Sequence, residues 1–138
     1  MIESETQSMA TTTVAVDLAD LIRQRAATWP ERAALTFDGD SLRYADLDQR
    51  ATRVANGLLS LSDAVQGRVA ILNKNSDVFY EVWFGAAKAR KVLVPVNWRL
   101  APAEIAYILN DSGAEFLFVG PEFFAVIEIG RASCRERV

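Results

Sequence analysis

The sequence predicts an α/β domain in which a βαβαβ unit with a parallel sheet is preceded by a helix, a β-hairpin and a second helix. The main observation is that helical patterns alternate with three short, continuous apolar runs, Val69–Leu72, Val92–Val96 and Phe116–Val119. Unbroken apolar runs of this length are typical of strands that are covered on both faces. The loops between runs and helices are short, which favours right-handed crossovers between parallel strands.

The first helix is predicted to run from Leu18 to about Thr28. Its apolar residues repeat at helical spacing, and Asp17 is placed to cap its N-terminus. Pro30 ends it, because the residue before a proline is disfavoured in a helical conformation.

A hairpin and a long helix follow. The runs Ala33–Phe37 and Leu42–Tyr44 flank the Asp-Gly-Asp sequence of Asp38–Asp40, and an Asp-Gly pair between two such runs is a strong hairpin signal. The helix is expected from Ala45 to Leu61. Its predicted apolar stripe consists of Leu47, Ala51, Val54, Ala55, Leu58 and Leu59.

Three further helices are expected between and after the strands. Ser76 is the predicted cap of the first, and its predicted buried stripe consists of Phe79, Val82, Trp83, Ala86 and Ala87. The second is predicted over Ala103–Asn110, with Gly113 available for a left-handed residue that stops it. Pro121 suits the first position of the third, which is predicted to start within Glu122–Ile127.

Length and composition exclude several classes of function. The chain has 138 residues, of which 51% are hydrophobic and 24% charged, as in a soluble globular domain. A net charge of −3 gives no general attraction to nucleic acid or to anionic membranes, and no apolar run is long enough to span a bilayer. There is no histidine and one cysteine, Cys134, so the chain alone forms no His-based zinc site, no Ser-His-Asp triad and no disulfide.

Both ends of the chain are expected to lie outside the folded domain, which is predicted over residues 17–127. Residues 1–16 are polar and expected to be disordered; they have no signal-peptide pattern, so the cytoplasm is the default location, and either Met1 or Met9 could be the start. The tail Ile129–Val138 breaks the apolar pattern, and a frayed terminus is one interpretation. We favour another, because back-translation of this tail resembles an in-frame short-read sequencing adapter.

Four groups of polar residues are candidates for a site, and none is assigned a catalytic, cofactor-binding or metal-binding role. Asn73–Ser76 could cradle an anion at a helix N-terminus, although an ordinary capped helix is favoured. Asp38 and Asp40 are expected to form the turn rather than an acid–base pair. The basic segment Lys88–Lys91 lies at the C-terminal end of a predicted helix, where a favourable interaction with the helix dipole explains its positive charge without a ligand. Trp98-Arg99 either clamps a substrate or holds its loop to the surface, and both interpretations stay open.

The sequence also resembles the opening of the AMP-forming acyl-CoA synthetases, in the adenylate-forming superfamily. The segments that carry the resemblance are Leu18–Leu35, Leu42–Leu47, Gly67–Leu72 and, most specifically, Phe84–Asp111. Val94–Leu100 is most similar to the fatty-acid–CoA ligase branch. The chain departs from the family pattern at Ser60–Gly67, where a glycine-containing turn is common, and at Arg90-Lys91, where small residues are common.

The resemblance implies a two-step ligase that uses ATP, Mg²⁺ and CoA and activates a carboxylic acid through an acyl-adenylate. The acid is expected to be a fatty acid. The family's phosphate loop, acyl channel and catalytic lysine lie downstream of the matching region. The fragment itself is therefore expected to be inactive and to bind none of these cofactors. Its parallel strands are separated from the rest of their sheet, which leaves sheet edges unpaired. The alternatives are another adenylate-forming enzyme (an aryl-acid ligase or an amino-acid adenylation domain) and a non-enzymatic α/β binding module. No nucleic-acid partner is expected.

Overall fold

The computed structural model describes residues 14–135, and for residues 130–135 it gives only the course of the backbone. The elements are α1 (Leu18–Thr28), β1 (Ala33–Phe37), β2 (Asp40–Arg43), α2 (Tyr44–Leu61), β3 (Arg68–Leu72), α3 (Asp77–Lys88), β4 (Val92–Val96), α4 (Pro102–Ser112) and β5 (Ala114–Val119), followed by a 3₁₀ turn (Pro121–Phe123) and α5 (Phe124–Arg135). The predicted order of helix, hairpin, helix and βαβαβ unit is confirmed. The disorder predicted for residues 1–16 falls mainly on residues 1–13, which lie outside the described residues.

The hairpin has a two-residue turn at Asp38-Gly39. Phe37 pairs with Asp40 across it, and the turn residues have φ values of +52° and +88°. Positive φ at both central positions is the conformation that matches the right-handed twist of the flanking strands. Asp38 is a central residue of this turn, and Asp40 follows it as the first residue of β2.

The three-stranded sheet is parallel, in the order β4–β3–β5. Its central strand is buried on both faces, since Val69 to Leu72 are at most 1% exposed. Val69 and Ile71 belong to a core cluster with residues of α2 and α3, whereas Ala70 and Leu72 belong to a second cluster on the other face, with Ile105 of α4. The sheet therefore lies between two helical layers, as the unbroken apolar run predicted.

Helix α1 and the hairpin are joined to the rest by a third, smaller core cluster. It contains Ile22 of α1, Leu42 of β2 and Leu47 of α2, with Phe84 of α3 packed against it. Asp17 caps α1 as predicted, because its carboxylate accepts a hydrogen bond of 2.8 Å from the backbone N–H of Asp20.

Helices α2 and α3 approach closely at Gly85. A Cβ atom at this position would lie 2.6 Å from the Cβ and Cγ1 atoms of Val54 and 3.0 Å from the carbonyl oxygen of Ala51. Contacts this short do not occur between real side chains, so only glycine allows the observed spacing of the two helices.

Three details differ from the predictions. The predicted buried stripes include Leu59 and Trp83, but these residues are 49% and 37% exposed. The adjacent residues Leu58 and Val82 point into the core instead. Ser76 occupies the N-cap position of α3, yet its hydroxyl makes no capping hydrogen bond. The second hairpin strand is Asp40–Arg43 rather than the predicted Leu42–Tyr44, because Tyr44 already belongs to α2.

A network of exposed charges ties the hairpin to α2. Arg43 donates hydrogen bonds to Asp46 at 2.7 Å and also to Glu31. The hydrogen bond from Arg43 lowers the pKa of Asp46 below its ordinary value, and the same pairs raise the pKa of Arg43.

Among the described residues, no helix combines the length and the apolar character that crossing a membrane requires.

We expect Gly85→Ala to lower the free energy of unfolding by about 1–3 kcal/mol, because the added methyl group overpacks the contact between α2 and α3. Gly57→Ala is the matched control, since a Cβ there meets no atom within 4 Å. It should stabilise the helix by up to about 1 kcal/mol. Urea unfolding followed by circular dichroism measures both changes, and equal effects of the two variants would contradict the packing argument.

The lowered pKa of Asp46 also makes stability depend on pH. Its contribution is fully present above the ordinary carboxyl value of 3.8 and is lost as the pH falls through the lower pKa of the folded state. Asp46→Asn should therefore flatten the fall in unfolding free energy below about pH 4. Asp63→Asn is the control, because Asp63 forms no ion pair with the described residues, and an unchanged slope in Asp46→Asn would refute the coupling.

Candidate functional site

The carboxyl ends of β3, β4 and β5 lie at the same edge of the parallel sheet, which is where ligands bind in open α/β folds. The loop after each strand brings polar and aromatic side chains to this edge. We call these residues the carboxyl-edge cluster: Asn73 and Lys74 after β3, Trp98 and Arg99 after β4, and Glu122 and Phe123 after β5.

The loops after β3 and β5 are held directly against each other. The backbone N–H of Gly120 donates a hydrogen bond of 2.9 Å to the carbonyl of Leu72. A Cβ atom at Gly120 would lie 2.6 Å from Oδ1 of Asn73, so the two loops touch at a point where a larger residue would force Asn73 aside. Lys74 and Glu122 form an ion pair of 2.9 Å across the same junction.

Trp98 is the centre of the cluster. The guanidinium of Arg99 lies 4.2 Å from the centroid of its indole ring, and the ammonium of Lys74 lies 5.3 Å from it. The ring also contacts Phe123, with 6.1 Å between centroids, and packs against the core cluster that contains Ile105. The indole therefore holds its loop to the body of the domain, which is one of the two interpretations left open by the sequence.

Arg99 keeps the other interpretation open. Its side chain is exposed, and it forms no ion pair with a carboxylate in the part of the chain that the structure describes. Its backbone N–H donates to Oδ1 of Asn97 at 3.0 Å, which orders the loop. The guanidinium is thus positioned on a fixed aromatic surface and still has donors available for an anion.

The Asn73–Ser76 segment forms an ordinary helix start. Oδ1 of Asn73 accepts the backbone N–H of Lys74, and α3 carries an acidic residue, Asp77, in its first turn. The Asp77 carboxylate interacts favourably with the helix dipole and disfavours a bound anion at the same place. The hydroxyl of Ser76 is buried and has no hydrogen-bond partner among the described residues.

The basic Lys88–Lys91 segment is not a solvated patch, and the helix dipole is not its main partner. The side chain of Lys88 is 8% exposed, and its ammonium donates hydrogen bonds to Asp48 at 2.6 Å and to Thr52 at 2.8 Å, both on α2. The side chain of Lys91 is fully buried, and its ammonium donates to the carbonyl of Ala64 at 2.8 Å. Both lysines are structural, because they attach the end of α3 to α2 and to the loop before β3.

Arg90, between these lysines, has a φ of +58°, the left-handed conformation that favours glycine. Its carbonyl accepts a hydrogen bond of 2.8 Å from the backbone N–H of Gln66. The left-handed turn gives a physical reason why a small residue suits this position, where the chain departs from the family pattern.

The arrangement favours binding over catalysis. The carboxyl-edge cluster contains two cations, two aromatic rings, an amide and one paired carboxylate. Among the described residues, no group of three or more acidic, histidine or cysteine side chains could hold a metal ion. The pairing of Lys74 with Glu122 was missed by sequence reasoning; the only available signal was that both residues follow predicted strands.

Comparison with known proteins identifies the family. The family described as AMP-binding enzyme matches residues 22–137. The chain belongs to this family of AMP-binding enzymes.

The names of relatives of this chain refer to different acids. The fatty acid–[acyl-carrier-protein] ligase ScoC of Streptomyces coeruleorubidus is 43% identical over 99 residues, which cover 72% of this chain and 19% of that protein. A feruloyl-CoA synthase of an Amycolatopsis species is 38% identical over 99 residues, covering 72% of this chain and 20% of the relative. The chain thus spans about a fifth of the length of these curated relatives.

A solved structure confirms the fold of this chain. The Mycobacterium tuberculosis fatty acyl CoA synthetase superposes with a TM-score of 0.79 and 36% identity, covering 84% of this chain and 24% of the other. The predicted α/β class and the resemblance to the beginning of an adenylate-forming enzyme are both confirmed.

We expect Trp98→Ala to lower the free energy of unfolding by about 2–3 kcal/mol, because it removes a half-buried ring from the core. Arg99→Gln should change it by less than about 0.5 kcal/mol. Trp98→Phe is the control that keeps an aromatic ring against Phe123 and should recover most of the loss. Urea unfolding followed by circular dichroism makes the comparison, and wild-type stability of Trp98→Ala would contradict loop anchoring.

Proposed function

We propose that the chain is part of an acid–thiol ligase that activates a carboxylic acid with ATP. In the first step, a carboxylate oxygen attacks the α-phosphorus of ATP, and pyrophosphate leaves. In the second step, a thiolate attacks the carbonyl carbon of the acyl-adenylate, and AMP leaves. The observation that carries this proposal is the family match over residues 22–137.

A fatty acid is the proposed substrate, and CoA is the proposed thiol. The fatty acid is supported by the names of two similar proteins, the fatty acid ligase ScoC and the M. tuberculosis fatty acyl CoA synthetase, and CoA is supported by the name of the second. A second candidate is an aromatic acid, since the feruloyl-CoA synthase is also a close relative. The activity of ScoC makes an acyl-carrier protein the alternative thiol donor.

The residues present do not fit an ATP–Mg²⁺ site. The charge that develops on transferred phosphates needs several fixed donors and a metal ion. The sequence contains no glycine-rich phosphate loop, and the described residues include no cluster of three or more histidine, cysteine or acidic side chains that could hold a metal ion. We therefore propose that ATP, Mg²⁺ and CoA bind to residues outside this chain. The chain alone is then inactive, and its role is that of a scaffold.

Two further proposals concern the setting of the enzyme. The cytoplasm is proposed as its location, because ATP and CoA are available there. Residues 129–138 are proposed to be encoded by adapter sequence. In that case, the genomic reading frame differs after codon 128 from the frame that encodes this chain, and it continues toward a Ser/Thr/Gly-rich phosphate loop.

The test compares two proteins, the complete gene product and the 138-residue chain. The complete protein should catalyse ATP–pyrophosphate exchange that depends on an added acid, decanoate or ferulate, and should form a thioester when CoA is supplied. The chain alone should show neither activity. Exchange by the chain alone would refute its proposed inactivity, and a complete protein without exchange with any acid would refute the ligase.

A further inference from the structure

A cleft lies between α1, the hairpin, α2 and α3, and shares no residue with the carboxyl-edge cluster. Its volume is about 370 Å³, at the lower end of the range of about 300–1,000 Å³ that is usual for small-molecule sites. Its apolar wall includes Leu21, Ile22, Leu35, Leu47 and Phe84. Ile22 and Leu47 are at most 2% exposed, so the floor of the cleft is part of the packed core.

Three residues that line the cleft, Arg25, Tyr44 and Tyr80, have side chains that can donate hydrogen bonds, and the tyrosine hydroxyls can also accept them. No acidic residue lines the cleft. Neither tyrosine hydroxyl has a hydrogen-bond partner within the part of the chain that the structure describes. Unpaired donors beside an apolar wall match a ligand that has acceptors at one end and an apolar body.

A second guanidinium, that of Arg32, shares an aromatic ring with Arg25, although Arg32 and this ring do not themselves line the cleft. The guanidinium groups of Arg25 and Arg32 both lie over the indole of Trp29, at 4.8 Å and 5.2 Å from its centroid. Neither guanidinium pairs with a carboxylate among the described residues, whereas Arg23, on the same helix, is paired with Asp20 at 2.7 Å. An anion at Arg25 would therefore gain a charge-assisted hydrogen bond without displacing a protein carboxylate.

We propose that this cleft binds a small monocarboxylic acid with an apolar body, as a site separate from the one that activates the acid. The carboxylate bonds Arg25 and the tyrosine hydroxyls, and the apolar body lies against the wall formed by Leu35 and Phe84. A phosphate ion would leave the wall uncovered, and a neutral hydrocarbon would leave the three donors unpaired. The inference does not depend on the proposed ligase reaction, because it uses none of its groups.

Equilibrium dialysis of radiolabelled decanoate against the complete gene product tests the site. The measurement is made with and without a non-hydrolysable acyl-adenylate analogue, which would occupy the activating site. In the presence of the analogue, the wild-type protein should still bind about one equivalent of decanoate. Arg25→Gln should weaken this binding about tenfold. Ala34→Leu, which fills the cleft, should abolish it.

The controls separate this site from general effects. Arg23→Gln makes the same chemical change outside the cleft and should bind decanoate as the wild type does. Decan-1-ol, which lacks the carboxylate, should bind to the wild type more weakly than decanoate does. Its affinity for Arg25→Gln should equal its affinity for the wild type. Melting temperatures within about 2 °C of wild type show that the variants are folded.

The result that overturns the proposal is the absence of analogue-resistant decanoate binding, or binding that is unchanged in both Arg25→Gln and Ala34→Leu. Failure of the proposed ligase gives a different result. In that case, the analogue does not bind and there is no pyrophosphate exchange, while the decanoate equivalent that depends on Arg25 is still present.

Discussion

Burial of β3 on both faces is the constraint on which the rest of the structure depends. Val69 to Leu72 are at most 1% exposed, and alternate residues belong to the two core clusters. A strand covered on both faces needs helices on both sides, and a parallel neighbour needs a crossover long enough to contain one. Helices α3 and α4 provide these crossovers, and α2 adds to the layer formed by α3.

The same strand determines where the functional surfaces lie. Because β4 and β5 run parallel to β3, their carboxyl ends meet at one edge, and the loops there bring Lys74, Trp98 and Glu122 together. The outer edges of β4 and β5 pair with no other strand among the described residues, and both strands are only partly buried. Unpaired edges of this kind are where further strands can add to a sheet.

Local patterns predicted the elements well, since they depend on neighbours in the sequence. Val92–Val96 has the observed limits of β4, the Asp-Gly pair forms the two-residue turn, and Gly113 takes the left-handed conformation with φ of +63°. Predictions of side-chain environment were less accurate. Helical periodicity selects a face to within about one residue, so it misplaced Leu59 and Trp83 beside residues that are buried.

The sequence by itself determined the α/β class, the order of the elements and the resemblance to adenylate-forming enzymes, because short-range periodicity, turn residues and characteristic segments carry that information. Only the tertiary structure decided the environments of the charged and polar side chains. The burial of Lys91 beside Ala64, the sharing of Trp98 by Lys74 and Arg99, and the unpaired Arg25 at an apolar cleft all depend on contacts between separate elements. Such contacts exist only once the core has packed, because the hydrophobic effect that brings the elements together has no direction of its own.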